Sequence, residues 1–269
     1  MTPSPVVKPF CVSITGADDA VDILDLVRLS QRYPFVEWAL LHLPEKAGRA
    51  RNPSGWWLWE FLAYREFCSD PANQHLCCSL PAALHLCCPA HFHQILAGRV
   101  NDIFRCEVQQ FDRIQVNINA RTAEFSTDEV VRIYRVLRQW GARLILQRHS
   151  GTQAAIDEFL ATSVTQAELA SGDVSVLLDA SRGTGLAPAS WASPVTCADG
   201  FVHTGYAGGI SPENIESVLD ATETAVRASA TPGAAYWLDM ESGVRTNNQF
   251  DLAKVERVLD AVARRRSAP

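Results

Sequence analysis

Residues 236–262, YWLDMESGVRTNNQFDLAKVERVLDAV, read as a short strand, a polar loop and an amphipathic helix. The aromatic and aliphatic start suits a buried strand, and apolar residues from Leu252 to Val262 recur at helical spacing. The strand closes on Asp239 and Glu241, and the loop opens with Ser242-Gly243. A purely structural turn needs the glycine but not the two carboxylates. Working back along the chain, the same unit repeats. PFCVSIT (9–15), FVEWALLHL (35–43), AALHLCC (82–88), DRIQVNIN (112–119), RLILQRH (143–149), DVSVLLDAS (173–181), VHTGYAGG (202–209) and AAYWLDME (234–241) are strand candidates. Helical patterns separate most of them, over 18–33, 53–67, 91–100, 126–141, 152–163, 211–229 and 251–265. Strands alternating with helices of this length form βαβ units and a parallel sheet. Eight strands in 269 residues predict a closed (β/α)8 TIM barrel, one domain over residues 1–269.

Composition agrees and excludes other classes. Hydrophobic content is 47%, enough for a full core, and 24 basic against 30 acidic residues leave a net charge of −6. Lys and Arg are scattered, so no nucleic-acid partner is expected. No apolar run reaches the ~18 residues of a membrane span. The N-terminus lacks signal-peptide features, so a cytoplasmic location is expected. The eight cysteines include the vicinal pairs Cys77-Cys78 and Cys87-Cys88, which suit reduced thiols better than disulfides. His85, Cys87, Cys88, His91 and His93 lack the spacing of a zinc finger or ribbon, so no metal is expected. No cofactor is expected, and the oligomeric state stays open.

Strand parity collects polar residues on one face. Gln115, Asn117 and Asn119 share a face opposite Ile114, Val116 and Ile118; Gln147 pairs with His149, and His85 with Cys87. In a barrel the outer face meets apolar helices, so the polar face points inward. That gathers Glu37, His85, Gln115, Asn117, Gln147, His149, Asp179 and Asp239 around one mouth. A barrel core of hydrogen-bonded amides explains one or two such residues; polar ends on six strands favour a site.

Three segments resemble phosphoribosylanthranilate isomerase of tryptophan biosynthesis. They are LLDASRGTG with Trp191 downstream (177–191), YAGGISPENI (206–215) and LDMESGVRTNNQFDLAKVERVL (238–259). The likeness is specific over the last third of the chain and faint before it, where FDRIQVN (111–117) resembles a Gln-Leu-His strand with Asn117 at the His position. The residues also carry a reading of their own. Gly208-Gly209 follow a strand and precede Ser211, Pro212 and Glu213, which suit an N-cap and first helical turn. Loops after strands seven and eight form the usual phosphate cradle of this barrel, so Gly208, Gly209, Ser242 and Gly243 are the candidate phosphate-binding residues.

The resemblance implies an Amadori rearrangement, with a general acid on the ring oxygen and a general base on the C2 proton. It implies Asp179 as acid, Cys11 as base and Asp239 facing the substrate. Parity offers Gln115, Asn117, Gln147 and His149 as candidate substrate contacts, and the resemblance adds Arg51, in RNPS (51–54), which loosely matches the family's Ser-Pro-Arg. Aligning Ile14-Thr15 with the family's first strand places Val12 at the cysteine position and turns Cys11 toward the helices. Glu241 stands where the family has Ser, and Phe250-Asp251 where it has Lys-Asp. The expected function is acid/base isomerisation of a phosphorylated sugar or related small molecule. The alternatives are a ligand-binding barrel without isomerase activity, and a barrel enzyme of other chemistry run by His85, Gln147 and His149.

Overall fold

The computed structural model describes residues 7–73, 78–117, 126–179, 185–197, 200–229 and 234–267. Eight strands form its centre: β1 (Cys11–Thr15), β2 (Val36–His42), β3 (Ala82–Leu86), β4 (Arg113–Val116), β5 (Arg143–Arg148), β6 (Val174–Asp179), β7 (His203–Ala207) and β8 (Tyr236–Met240). Consecutive strands pair in parallel, and β1 pairs with β8 through Cys11↔Trp237 and Ser13↔Asp239, which closes the sheet into a barrel. Around it lie α1 (Ile23–Arg32), α2 (Gly55–Ser69), α3 (Pro89–Ala97), α4 (Asp102–Val108), α5 (Thr127–Gln139), α6 (Gln153–Thr162), α7 (Gln166–Ser171), α8 (Ile215–Arg227) and α9 (Leu252–Ser267).

Parity sorts the side chains as expected for a closed sheet. Val12, Ile14, Trp38, Leu84, Ile114, Leu144 and Val176 belong to the large core between strands and helices. Ile145, Leu177, Ala207 and Trp237 form a separate cluster inside the barrel, with Cys11 packed against it. A Cβ at Gly205 would lie 2.3 Å from the Trp237 ring, so glycine in β7 is what admits the indole.

Local capping sets several helix starts. Ser126 and Glu129 form a capping box on α5, Ser54 caps α2 by accepting from the Trp57 amide, and Asn101 caps α4. In three places the structure departs from the sequence reading. The connection after β3 holds two helices rather than one, because Gly98 takes a left-handed conformation and Asn101 starts α4. Helix α7 adds a turn of structure before β6. Helix α8 starts at Ile215, not at Ser211. Ser211, Glu213 and Asn214 instead make a compact turn, in which the Asn214 side chain accepts from the Ser211 amide and donates to the Gly209 carbonyl. No described helix is long and apolar enough to cross a membrane.

Candidate active site at the barrel mouth

The C-terminal strand ends gather a compact polar cluster. Thr15, the last residue of β1, donates its hydroxyl to Asp239 Oδ1 at 2.7 Å. Gln147 on β5 donates to Asp179 Oδ2 at 2.8 Å. Both aspartates are register partners of Ala207 on the intervening β7, so they sit two strands apart on the same inward face. Both are buried. Burial pushes the Asp239 carboxyl up to about 7; the Thr15 hydrogen bond opposes this, and the charges of Glu241, Asp179 and Glu37 add to it. A carboxyl poised there can take or give a proton at neutral pH.

Three loops close over these carboxylates. A cavity of about 60 Å³ is bounded by Asp179, Gly185, residues 207–210 and residues 239–243. That is room for a small anion or a few waters, not for a whole sugar. The glycines there are dictated by close approach of backbone. A Cβ on Gly243 would lie 1.9 Å from the Ile210 carbonyl oxygen, and one on Gly209 would lie 2.5 Å from the Ala187 amide nitrogen. The loops after β7 and β8 are therefore packed together, with the segment after β6 against them.

Glu241 does not face the cavity alone. Arg51 Nη1 pairs with Glu241 at 2.5 Å and donates to Ser242 Oγ at 3.2 Å, while its Nε donates to Asn248. Arg51 has a φ of +77°, unusual for a residue with a side chain. Its amide is tied to Asp18, whose carboxylate also meets Arg245 at 2.8 Å. Arg245, almost wholly buried, donates in turn to the Gly16 carbonyl. One carboxylate thus holds the loops after β1, β2 and β8 in register. The hairpin of Arg245–Thr246 with Gln249–Phe250 carries this arginine, turning at Asn247 and Asn248, both with positive φ.

The remaining candidates divide. Gln115 is buried inside, and Asn117 donates weakly to Cys87 Sγ at 3.7 Å across β4 and β3. His149 folds onto its own turn, its Nδ1 accepting from the Gly151 amide. Asn119, Cys77 and residues 180–184, which include most of the Gly-Thr-Gly, lie outside the described residues.

Cys11 and Glu37 require correction. Cys11 faces the barrel interior rather than the helices, because it packs on the inner cluster while Val12 joins the outer core. Yet it opens β1, four residues below Thr15, or about 13 Å at ~3.3 Å per residue. It belongs to the floor, below the strand ends: its register partner Trp237 stands two residues before Asp239, whose charge still reaches the thiol. Glu37 lies there too, paired with Arg113 at 2.6 Å and 2.7 Å and accepting from Ser13. Burial raises the pKa of Cys11 despite Arg113, which removes it as a ready base. Burial likewise pushes His85 down to about 4, although Glu37 opposes this, so His85 is a neutral interior group. Arg113, stacked 4.4 Å from Trp237, was not singled out from sequence; its inward parity with Gln115 was the available signal. Thr15, Asp18 and Arg245 were also missed. The Cys/His-rich segment is dispersed, and no metal-binding group of three or more His, Cys, Asp or Glu side chains forms among the described residues.

No family model and no curated protein matches the sequence. Solved structures do. N-(5'-phosphoribosyl)anthranilate isomerase from Pyrococcus furiosus is similar over 95% of this chain and 99% of its own, with TM-score 0.52 and 15% identity. The likeness is one of fold. The N-terminal domain of a putative aldolase from Bacteroides vulgatus is similar at TM-score 0.51 and 12% identity, over 96% of this chain and 81% of that one. Phospho-2-dehydro-3-deoxyheptonate aldolase from Thermotoga maritima is similar at TM-score 0.50 and 8% identity, over 97% and 69%. The resemblance read from the last third of the sequence thus extends, as architecture, over nearly the whole barrel.

Proposed function

We propose that the mouth is an acid/base site for a phosphorylated sugar or related small molecule, with isomerisation as the reaction. The observation that carries this is Asp239, buried, raised to about 7 and placed beside the packed Gly208-Gly209 and Ser242-Gly243 loops. In this reading Asp239 lifts the proton from C2 and returns it to C1. Asp179, oriented by Gln147, protonates the ring oxygen as the ring opens. The C2 hydroxyl then loses its proton as the ketone forms, which restores Asp179. Arg51 turns from Glu241 to the phosphoryl group, and the loop backbone completes the cradle. Three carboxylates around the cavity favour a second reading, a binding barrel for an uncharged or cationic molecule, since they would repel an unneutralised dianion.

The test combines calorimetry with inorganic phosphate and proton exchange on a panel of aldose phosphates in deuterated water. The expected result is phosphate binding weakened about tenfold in Arg51→Gln, and C2 deuterium incorporation lost in Asp239→Asn with phosphate binding kept. A folded wild-type protein that neither binds phosphate nor exchanges any C2 proton would refute the isomerase reading and leave the binding barrel.

A further inference from the structure

The opposite end of the barrel carries a second cavity. It holds about 560 Å³ at the N-terminal ends of β1 to β5, a volume that suits a small organic molecule. Glu37, Asp112, Arg113 and Arg143 supply its charged side chains, and Phe10, Phe35 and Phe111 supply aromatic wall.

The charges there are not used evenly. Both Glu37 oxygens are taken, Oε1 by Arg113 at 2.6 Å and Ser13 at 2.9 Å, Oε2 by Arg113 at 2.7 Å. Both Asp112 oxygens are taken as well, Oδ1 by Arg65 at 2.6 Å and Oδ2 by the Ala82 amide at 2.9 Å. What is left over is cationic. Arg113 Nη1 is buried with no hydrogen-bond partner, and the exposed side chain of Arg143 makes no hydrogen bond or ion pair among the described residues. The two arginines are register partners on β4 and β5, and like charges at paired positions of neighbouring strands repel. Burial holds down the pKa of His203, at the start of β7, and the charges of Arg113 and Arg143 both add to this, so the positive field of the pair reaches across the floor.

An acceptor is what this floor lacks. A carboxylate matches the fork of a guanidinium, and a single negative charge is better tolerated than two beside Glu37 and Asp112. We propose that the floor cavity binds a small organic carboxylate, its charged end on Arg143 beside Arg113, and its apolar body against Phe35 and Phe111. The site lies at the other end of the barrel from the mouth and is independent of the function proposed there.

Fluorine NMR titration of the whole chain with 4-fluorobenzoate and 4-fluorobenzamide tests this, because the probes match in shape and differ in charge. A charge-assisted hydrogen bond should favour the benzoate about tenfold or more. Arg143→Gln, at an exposed position that leaves the fold intact, should remove most of that preference without weakening the benzamide. Arg143→Glu should make the benzoate the weaker of the two. The proposal is overturned if neither probe binds, if both bind the wild-type protein equally, or if the full preference for the benzoate survives Arg143→Gln.

Discussion

Replacing Asp239 by Asn should make the protein more stable at alkaline pH while removing its exchange activity. The carboxyl ionises near 7 in the folded chain against an ordinary value of 3.8. Between those two values the native state holds a proton that the unfolded chain has lost. Stability from this group is therefore fully present below 3.8 and lost as pH rises through 7. The difference of about 3 pH units, at ~1.36 kcal/mol each, amounts to about 4 kcal/mol. Asn has no proton to lose and still offers an oxygen to Thr15, so Asp239→Asn escapes the penalty. Urea denaturation of both proteins from pH 4.5 to 8.5 should show stabilities close together at the acid end. The gap should widen to about 4 kcal/mol in favour of the variant above pH 7.5. Subtracting the two curves cancels the titration of most other groups. A gap that stays constant across the range would refute the reasoning, because it would mean that Asp239 is ionised in the fold throughout.

Three further outcomes are expected. Arg113→Met leaves Glu37 buried and unpaired and should cost about 3–5 kcal/mol by urea denaturation, most of it recovered in the double variant with Glu37→Leu. Asp179→Asn should leave the melting temperature nearly unchanged yet lower C2 exchange by about 10²-fold, the scale of a lost general acid. A tryptophan auxotroph lacking phosphoribosylanthranilate isomerase should not grow on this protein, soluble expression being confirmed, because Cys11 lies on the barrel floor; robust growth would show that the mouth supplies a base for that substrate.

The sequence by itself determined the alternation of strands and helices, the closure into a barrel, and the inward face of most strands; β1 is the exception, where Cys11 was expected toward the helices and packs inside. These follow from local periodicity: a strand repeats every two residues, and an outward apolar stripe has only the helices to meet. It also marked Asp179, Asp239 and the two glycine loops as strand-end features. Tertiary structure alone decided height and partnership. Parity placed Glu37, His85 and Asp239 on one inner face, and only the closed barrel showed Glu37 paired with Arg113 rather than free at the mouth. Thr15 and Asp239, at opposite ends of the chain, meet because β1 closes on β8. Glu241 looked like a bare negative charge until the loop after β2 brought Arg51 onto it. The proton affinity of Asp239 belongs to the same category, since burial and the charges around it exist only once the barrel has closed.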